Sequence, residues 1–216
     1  MTRRDLIVSC VVVLNGLAMS GMAEAKTAAY HLDPVHTRVL FAVSHAGFSH
    51  ALGTVSGSTG TLVFDSEDWS SAKLSVSVPL TRIDLGDTGW NRAASAHGLL
   101  DVAGHPVATF VSNRIEPKDP QHANVCGTLT LHGVERDTCL AVTFNQLKHH
   151  PMPPFRRTAG FSATTTISRK AFGIDAWPSV IGDDVELRIE AEAVRGGNDD
   201  IEPPPAADPA LPASRH

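Results

Sequence analysis

Apolar and polar positions alternate along most of the chain. In the stretch 160–174, Phe161, Ala163, Thr165 and Ile167 alternate with Ser162, Thr164, Thr166 and Ser168. A period of two places the larger apolar groups on one face of a strand and the small hydroxyls on the other. Arg169-Lys170 break the pattern, and Phe172-Gly173-Ile174 begins a turn. The same rhythm recurs in short runs separated by Gly, Pro, Asp and Ser. Val39, Phe41 and Val43 alternate with Arg38, Leu40 and Ala42, Leu62 and Phe64 follow Gly60, and Leu74, Val76 and Val78 alternate with Lys73, Ser75 and Ser77. Leu129 and Leu131 alternate with Thr128 and Thr130, and Leu140, Val142 and Phe144 with Cys139, Ala141 and Thr143. The last run sets Val185, Leu187, Ile189 and Ala191 against Glu186, Arg188, Glu190 and Glu192.

Strands with one dry and one wet face belong to antiparallel sheets. About eight of them predict a sandwich or a closed barrel, and periodicity does not choose between the two. The one helical candidate is Thr88 to Leu100, where Ala93, Ala94 and Ala96 favour a helix and no alternation shows.

The two ends differ from the body. Arg3 and Arg4, the apolar run Leu6 to Leu17 and the small residues of Ala23-Glu24-Ala25 follow the plan of a secretory signal peptide over 1–25. The run is shorter than the roughly 20 apolar residues a membrane span needs, so no stable membrane anchor is expected. Thr2-Arg3-Arg4-Asp5-Leu6 also resembles a twin-arginine export motif, which leaves the export route open. From Gly196 the chain carries five prolines, four acidic residues and no aromatic. Such a segment buries too little apolar surface to offset its ordering entropy, and 196–216 reads as a disordered tail.

The chain has 18 Lys+Arg and 23 Asp+Glu; without both ends, residues 26–195 keep 15 basic and 17 acidic groups. Charge that balanced gives no footprint for nucleic acid. Its length suits a single domain with a single core.

The 160–174 block closely resembles a signature of the YceI-like lipid/polyisoprenoid-binding family. Asp33-Pro34-Val35-His36, Phe41-Ala42-Val43-Ser44-His45, Gly60-Thr61-Leu62, Gly127-Thr128-Leu129-Thr130 with Gly133-Val134, and Gly182-Asp183-Asp184-Val185 match it in order, from about Tyr30 to Arg195. The resemblance implies an all-β, lipocalin-like antiparallel barrel around a long apolar ligand, carried outside the cytoplasm. Two places depart from the family. Between Gly53 and Gly60 it usually carries two aromatics, where this chain has Val55 and Ser58. Its helix usually carries an Arg-Asp-x-His-Leu run, where this chain has Arg92-Ala-Ala-Ser-Ala-His97.

The apolar inward face is the main functional candidate, although an eight-stranded barrel can fill itself as readily as hold one ligand. The expected lining is Val39, Phe41, Val43, Leu62, Phe64, Val76, Val78 and Phe110, then Leu129, Leu131, Leu140, Val142, Phe144, Phe161, Ile167, Leu187 and Ile189. An isoprenoid tail of roughly 30 to 40 carbons makes no hydrogen bonds, so its affinity must come from burying carbon at about 0.8 kcal/mol per CH₂. A polyprenyl, quinone-like or fatty-acid-type lipid is therefore the expected partner, with no cofactor, and a homodimer is left open. Arg169, following a lining strand, is the first choice for meeting a polar head; ordinary surface charge is the alternative, for it and for Lys170, Arg156 and Arg157.

The rival class is a histidine-based metal protein or a hydrolase at the barrel mouth, using His36, His45 and their neighbours. No histidine pair has the spacing of a zinc site on one helix face, and His149-His150 lies in a proline-rich stretch, so no metal is expected. His36 is expected to tie Asp33 or a backbone carbonyl. Gly160-Phe-Ser162-Ala-Thr164 lacks the second glycine of a nucleophile elbow, and no catalytic residues are expected.

Cys126 and Cys139 are the thiols left after export. A hairpin closed by a two-residue His132-Gly133 loop would set Leu131 opposite Val134 and Cys126 opposite Cys139, on the face away from the apolar positions. That register predicts a cross-strand disulfide. A longer turn, His132 to Glu135, would instead shift the register and leave two free thiols.

Overall fold

A computed structural model describes residues 27–196. The expected signal peptide and nearly all of the expected disordered tail lie outside the described residues. The described residues form eleven strands and one α-helix: β1 (Ala28–Leu32), β2 (Arg38–His45), β3 (Ser49–Ser56), β4 (Thr59–Phe64), β5 (Lys73–Pro79), β6 (Ile83–Asp84), α1 (Thr88–Ser95), β7 (Val107–Asp119), β8 (His122–Leu131), β9 (Val134–His149), β10 (Arg157–Ser168) and β11 (Ile181–Arg195). All pairings are antiparallel. Eight strands close a ring in the order β1-β4-β5-β7-β8-β9-β10-β11, with β11 returning to β1, so the lipocalin-like barrel expected from the resemblance is the fold. No helix among the described residues is long and apolar enough to cross a membrane.

β11 pairs twice along one edge, through Ala193–Arg195 with β1 and through Ile181–Glu190 with β2. β1 and β2 are thus one lane interrupted at 33–37. β3 and β4 form the adjacent lane, interrupted at Gly57-Ser58. The first break has a local cause: Pro34 fixes the backbone after Asp33, whose carboxylate accepts from the N–H of Val35 at 2.8 Å and from His36 Nδ1 at 2.7 Å. The two breaks are tied by the Gly57 N–H donating to the Pro34 carbonyl, and they bury Thr37 and Ser58. Beyond the breaks β2 and β3 continue to a hairpin at Ala46-Gly47. The two-residue β6 pairs only Thr54 and Val55, so β3 runs on toward its tip without a partner on that side. The wall is therefore incomplete there.

Four strands lie outside the alternating runs: β1 reads AAYHL, β3 reads SHALGTVS, β6 is two residues long, and β7 reads VATFVSNRIEPKD, of which the sequence marks only Phe110. The helix is also shorter than Thr88–Leu100. It starts on the Asp87 side chain, which accepts from the Trp90 N–H, and Ala96 is already extended at ψ 159°. The chain then turns through Gly98 on Leu99→Ala96 and Leu100→Ala94 backbone bonds.

The β8–β9 hairpin has the expected two-residue loop, with His132 at φ 53° and Gly133 at φ 72°, both in the left-handed region such turns require. Leu131 faces Val134 and Cys126 faces Cys139, and the two sulfurs are bonded. Cys126 is buried although it points away from the lumen. The strand beneath it is bulged between Ser112 and Arg114.

Peptide mapping after alkylation without reduction should find Cys126 and Cys139 unmodified. A loop of this length constrains the unfolded chain by about 3 kcal/mol in the chain-entropy model. Urea unfolding of the Cys126→Ser/Cys139→Ser double variant should show a loss of that order.

Candidate functional site

The alternation that builds the strands also builds a lumen. A cavity of about 480 Å³ runs inside the barrel, lined by Leu32, Leu62 and Phe64 at one end and by Leu99, Leu100, Leu131 and Trp90 at the other. The wall between is supplied by Val39, Phe41 and Val43 of β2, Val76 and Val78 of β5, Phe110 of β7, and Leu129 of β8. Leu140 and Val142 of β9, Phe161 and Ile167 of β10, and Leu187 and Ile189 of β11 complete it. Of the expected lining residues only Phe144 lies off the cavity wall. It belongs to the floor.

The floor is a cluster of aromatic rings. Phe64 meets Trp69 at 5.5 Å and 88°, Phe144 at 5.3 Å and Phe161 at 5.3 Å, with Trp69 and Phe144 6.2 Å apart. These edge-on and tilted contacts suit the quadrupoles of the rings. The Trp69 indole N–H donates to the Pro120 carbonyl, so the one polar atom of the floor has a partner. Tyr30, Ala123, Ala159 and Ala193 pack with the floor and are almost inaccessible. This end is sealed.

The opposite end is not. α1 lies over the gap left by the short β6, and Trp90, Ala93 and Ala94 face the cavity. No residue of that helix is buried. An amphipathic helix ordinarily sets its apolar face on a core; this one faces the lumen. Trp90 stacks on the His45 ring at 5.4 Å, which ties the helix to the tip of β2.

Polar groups on the lumen wall are few. Arg169 is one, 4 % exposed, at the end of β10. Its guanidinium donates to four backbone carbonyls at 2.8–2.9 Å, those of Ile174, Ala176, Ile181 and Gly182. These belong to the crossover from β10 to β11, so Arg169 clamps the loop that closes the barrel wall. The expectation of a group reaching for a ligand head is corrected in emphasis: four of the five N–H bonds are engaged by the protein itself.

Val55 and Ser58 stand on the lumen wall where the related family carries aromatics. Both are buried, and the Ser58 hydroxyl has no hydrogen-bond partner. The lumen wall is locally polar at this point. Gly53 lies beneath the Phe41 ring, where an added Cβ would come within 2.3 Å of the ring edge.

The rival metal and hydrolase arrangement does not assemble as named: His36 stands with Asp33 and Glu192 in one group of possible ligands, and His45 is not part of it. His36 and His45 stand at opposite ends of the lane occupied by β2. His36 pairs with Asp33 as expected. His149 Nδ1 lies 2.8 Å from the Phe155 carbonyl at the exposed end of β9, where the proline-rich loop begins. Ser162 is on the outer wall, where its hydroxyl donates to Glu190 and accepts from Asn145. Arg188 holds that carboxylate at 2.8 Å, so Ser162, Glu190 and Arg188 form a hydrogen-bonded chain on the outer wall, away from the lumen. A group that sequence reading passed over does assemble: Asp101, His105 and His132 at the open end. Its signal was the regular spacing His97-x₃-Asp101-x₃-His105.

The family model for the YceI-like domain matches residues 30–193. A UPF0312 protein of Pseudomonas savastanoi pv. phaseolicola is 32% identical over 182 residues, covering 83% of this chain and 93% of that one. Among solved structures, BcnA of Burkholderia cenocepacia superposes with a TM-score of 0.67 at 24% identity, over 74% of this chain and 98% of that one. A polyisoprenoid binding domain from Saccharophagus degradans superposes with a TM-score of 0.57 at 16% identity, over 79% of this chain and all of that one.

Two measurements check these roles. Replacing Arg169 with Met orphans four carbonyls and should cost at least about 2 kcal/mol in urea unfolding. Arg169→Lys should recover only part, since a single ammonium cannot span them. For Asp33, partial burial opposes ionisation, but the His36 ring and the Val35 N–H outweigh it and hold the carboxyl below its ordinary value. The bond from Asp33 and its charge raise His36 above 6.5. The pair therefore contributes between those two values. It weakens as pH rises through the raised His36 value or falls through the lowered Asp33 value. An NMR titration of His36 should move back toward 6.5 in the Asp33→Asn variant.

Proposed function

The chain belongs to the YceI-like domain family, and on that footing we propose that it binds a long amphiphilic lipid, of the isoprenoid or fatty-acid type, in the barrel lumen and carries out no chemistry on it. The observation that carries this reading is the lumen itself: a dry tube sealed by Phe64, Trp69, Phe144 and Phe161, with the apolar side of α1 facing space. Burial of CH₂ and CH₃ groups at about 0.8 kcal/mol per CH₂ would supply the affinity without a dedicated polar site. The polyisoprenoid binding domain of Saccharophagus degradans shares the fold and supports the same class of ligand. Export through the signal-like residues 1–25 is part of the proposal. The Cys126–Cys139 bond is consistent with it, since such bonds persist in oxidising compartments.

Native mass spectrometry of protein purified without detergent should show an adduct of several hundred daltons, on the order of the chain length argued above, that organic solvent extracts. A clean apo mass would favour a barrel that works empty. The lumen is then tested by filling it. Ala163 lines the cavity from β10, and Ala163→Phe adds bulk there without charge. Lipid uptake should fall at least tenfold while the fold is kept. Glu190→Gln, on the outer wall, should change neither.

A further inference from the structure

Two loop segments, the one between α1 and β7 and the β8–β9 turn, meet at the open end of the barrel, next to Leu100 and Leu131 of the lumen wall. They bring Asp101, His105 and His132 together so that one carboxylate oxygen and one nitrogen of each ring all lie within 4.8 Å of one another. None of these groups hydrogen-bonds another. Asp101 Oδ2 is 4.0 Å from His105 Nε2 and 3.4 Å from His97 Nδ1, both too long for an N–H···O bond. Four ligands about 2.0–2.1 Å from a tetrahedral ion stand roughly 3.3–3.4 Å from each other. The donors surround a common centre within 4.8 Å of one another, and an ion would draw them closer to reach that spacing.

The surroundings orient the donors. His132 Nδ1 lies 3.2 Å from the Phe172 carbonyl oxygen. A carbonyl only accepts, so Nδ1 holds the ring proton and Nε2 carries the free lone pair. A backbone carbonyl fixing the far nitrogen in this way is the usual support of a metal-binding imidazole. Asp101 at φ 44° and His132 at φ 53° both occupy the left-handed region that non-glycine residues seldom take. Two glycines make room: a Cβ at Gly104 would meet Asp101 Oδ2 at 2.5 Å, and one at Gly133 would meet His105 Cε1 at 2.7 Å. The His97 side chain is 94 % exposed and free to swing in as a fourth donor.

We propose that Asp101, His105 and His132, completed by His97, bind one divalent transition-metal ion of the zinc class at the rim of the lumen. Three imidazoles and one carboxylate suit zinc, nickel or copper and disfavour magnesium and calcium, which take oxygen ligands. A bound ion would fasten the 97–105 segment to the β8–β9 turn and, through Phe172, to the crossover that Arg169 clamps. The site stands independently of what fills the lumen.

The test uses the untagged full chain, stripped with chelator and titrated with Zn²⁺ by calorimetry and with Co²⁺ by its visible d–d bands. One equivalent should bind, unaffected by excess Mg²⁺. His105→Gln and His132→Gln should each weaken binding at least tenfold, and His97→Ala should weaken it less and alter the cobalt spectrum. The His149→Ala/His150→Ala pair should bind as the unaltered chain does. Failure of the unaltered chain to bind, or folded variants of unchanged affinity, would overturn the proposal. Should His105→Gln or His132→Gln not fold, the exposed His97→Ala decides: an unchanged spectrum and affinity would likewise overturn it.

Discussion

The short ladder between Tyr30–Leu32 and Ala193–Arg195 is the contact on which the barrel depends, because it joins the first strand to the last. Without it the sheet would expose two open edges, and apolar residues gathered inside would face water on both sides of the gap. The ladder is only three residue pairs long, and at its inner end Ala193 is fully buried beside Ala159. Small side chains let the strands approach closely where the aromatic floor crowds in from within. Closure and floor support each other: the ring of strands holds Phe64, Trp69, Phe144 and Phe161 together, and those rings fill the end that the ladder closes.

The same geometry separates the two ends by chemistry. At the floor the strands are fully paired and the rings are dry. At the other end the pairing stops early, since β6 covers only two residues of β3, and a helix with no buried residue bridges the gap. The Arg169 clamp, the His45–Trp90 stack, and the cluster of Asp101, His105 and His132 all collect at this second end.

What the sequence disclosed follows the strength of its alternation. β2, β5, β9, β10 and β11 each carry three or four apolar side chains on one face, and they were legible together with their inward direction. β1 is only five residues long and opens on two alanines, β3 relies on Ala, Gly and Ser, whose contrast is too weak to register, and β6 is too short for any period. The cysteine pairing was legible because a two-residue turn fixes register through an entire hairpin. The role of Arg169 was not, since its partners are carbonyls of an irregular crossover, which leave no trace in side-chain pattern. Phe144 shows the limit of alternation even where it works. It points inward as expected, yet it joins the floor, because alternation gives a side chain's face and not its depth along the barrel axis.

The sealed floor imposes an order of events on any linear guest. A tube with one opening can be threaded only from that opening, so the end that enters first must leave last. Departure is then a withdrawal along the whole occupied length rather than a sideways peel. Each further CH₂ held inside, at about 0.8 kcal/mol, would lengthen the stay roughly fourfold if the loss is felt fully on the way out. A barrel built this way measures its guest by time: residence rises geometrically with chain length until the guest reaches the rings of Phe64 and Trp69, and beyond that point additional carbon stays outside and adds nothing.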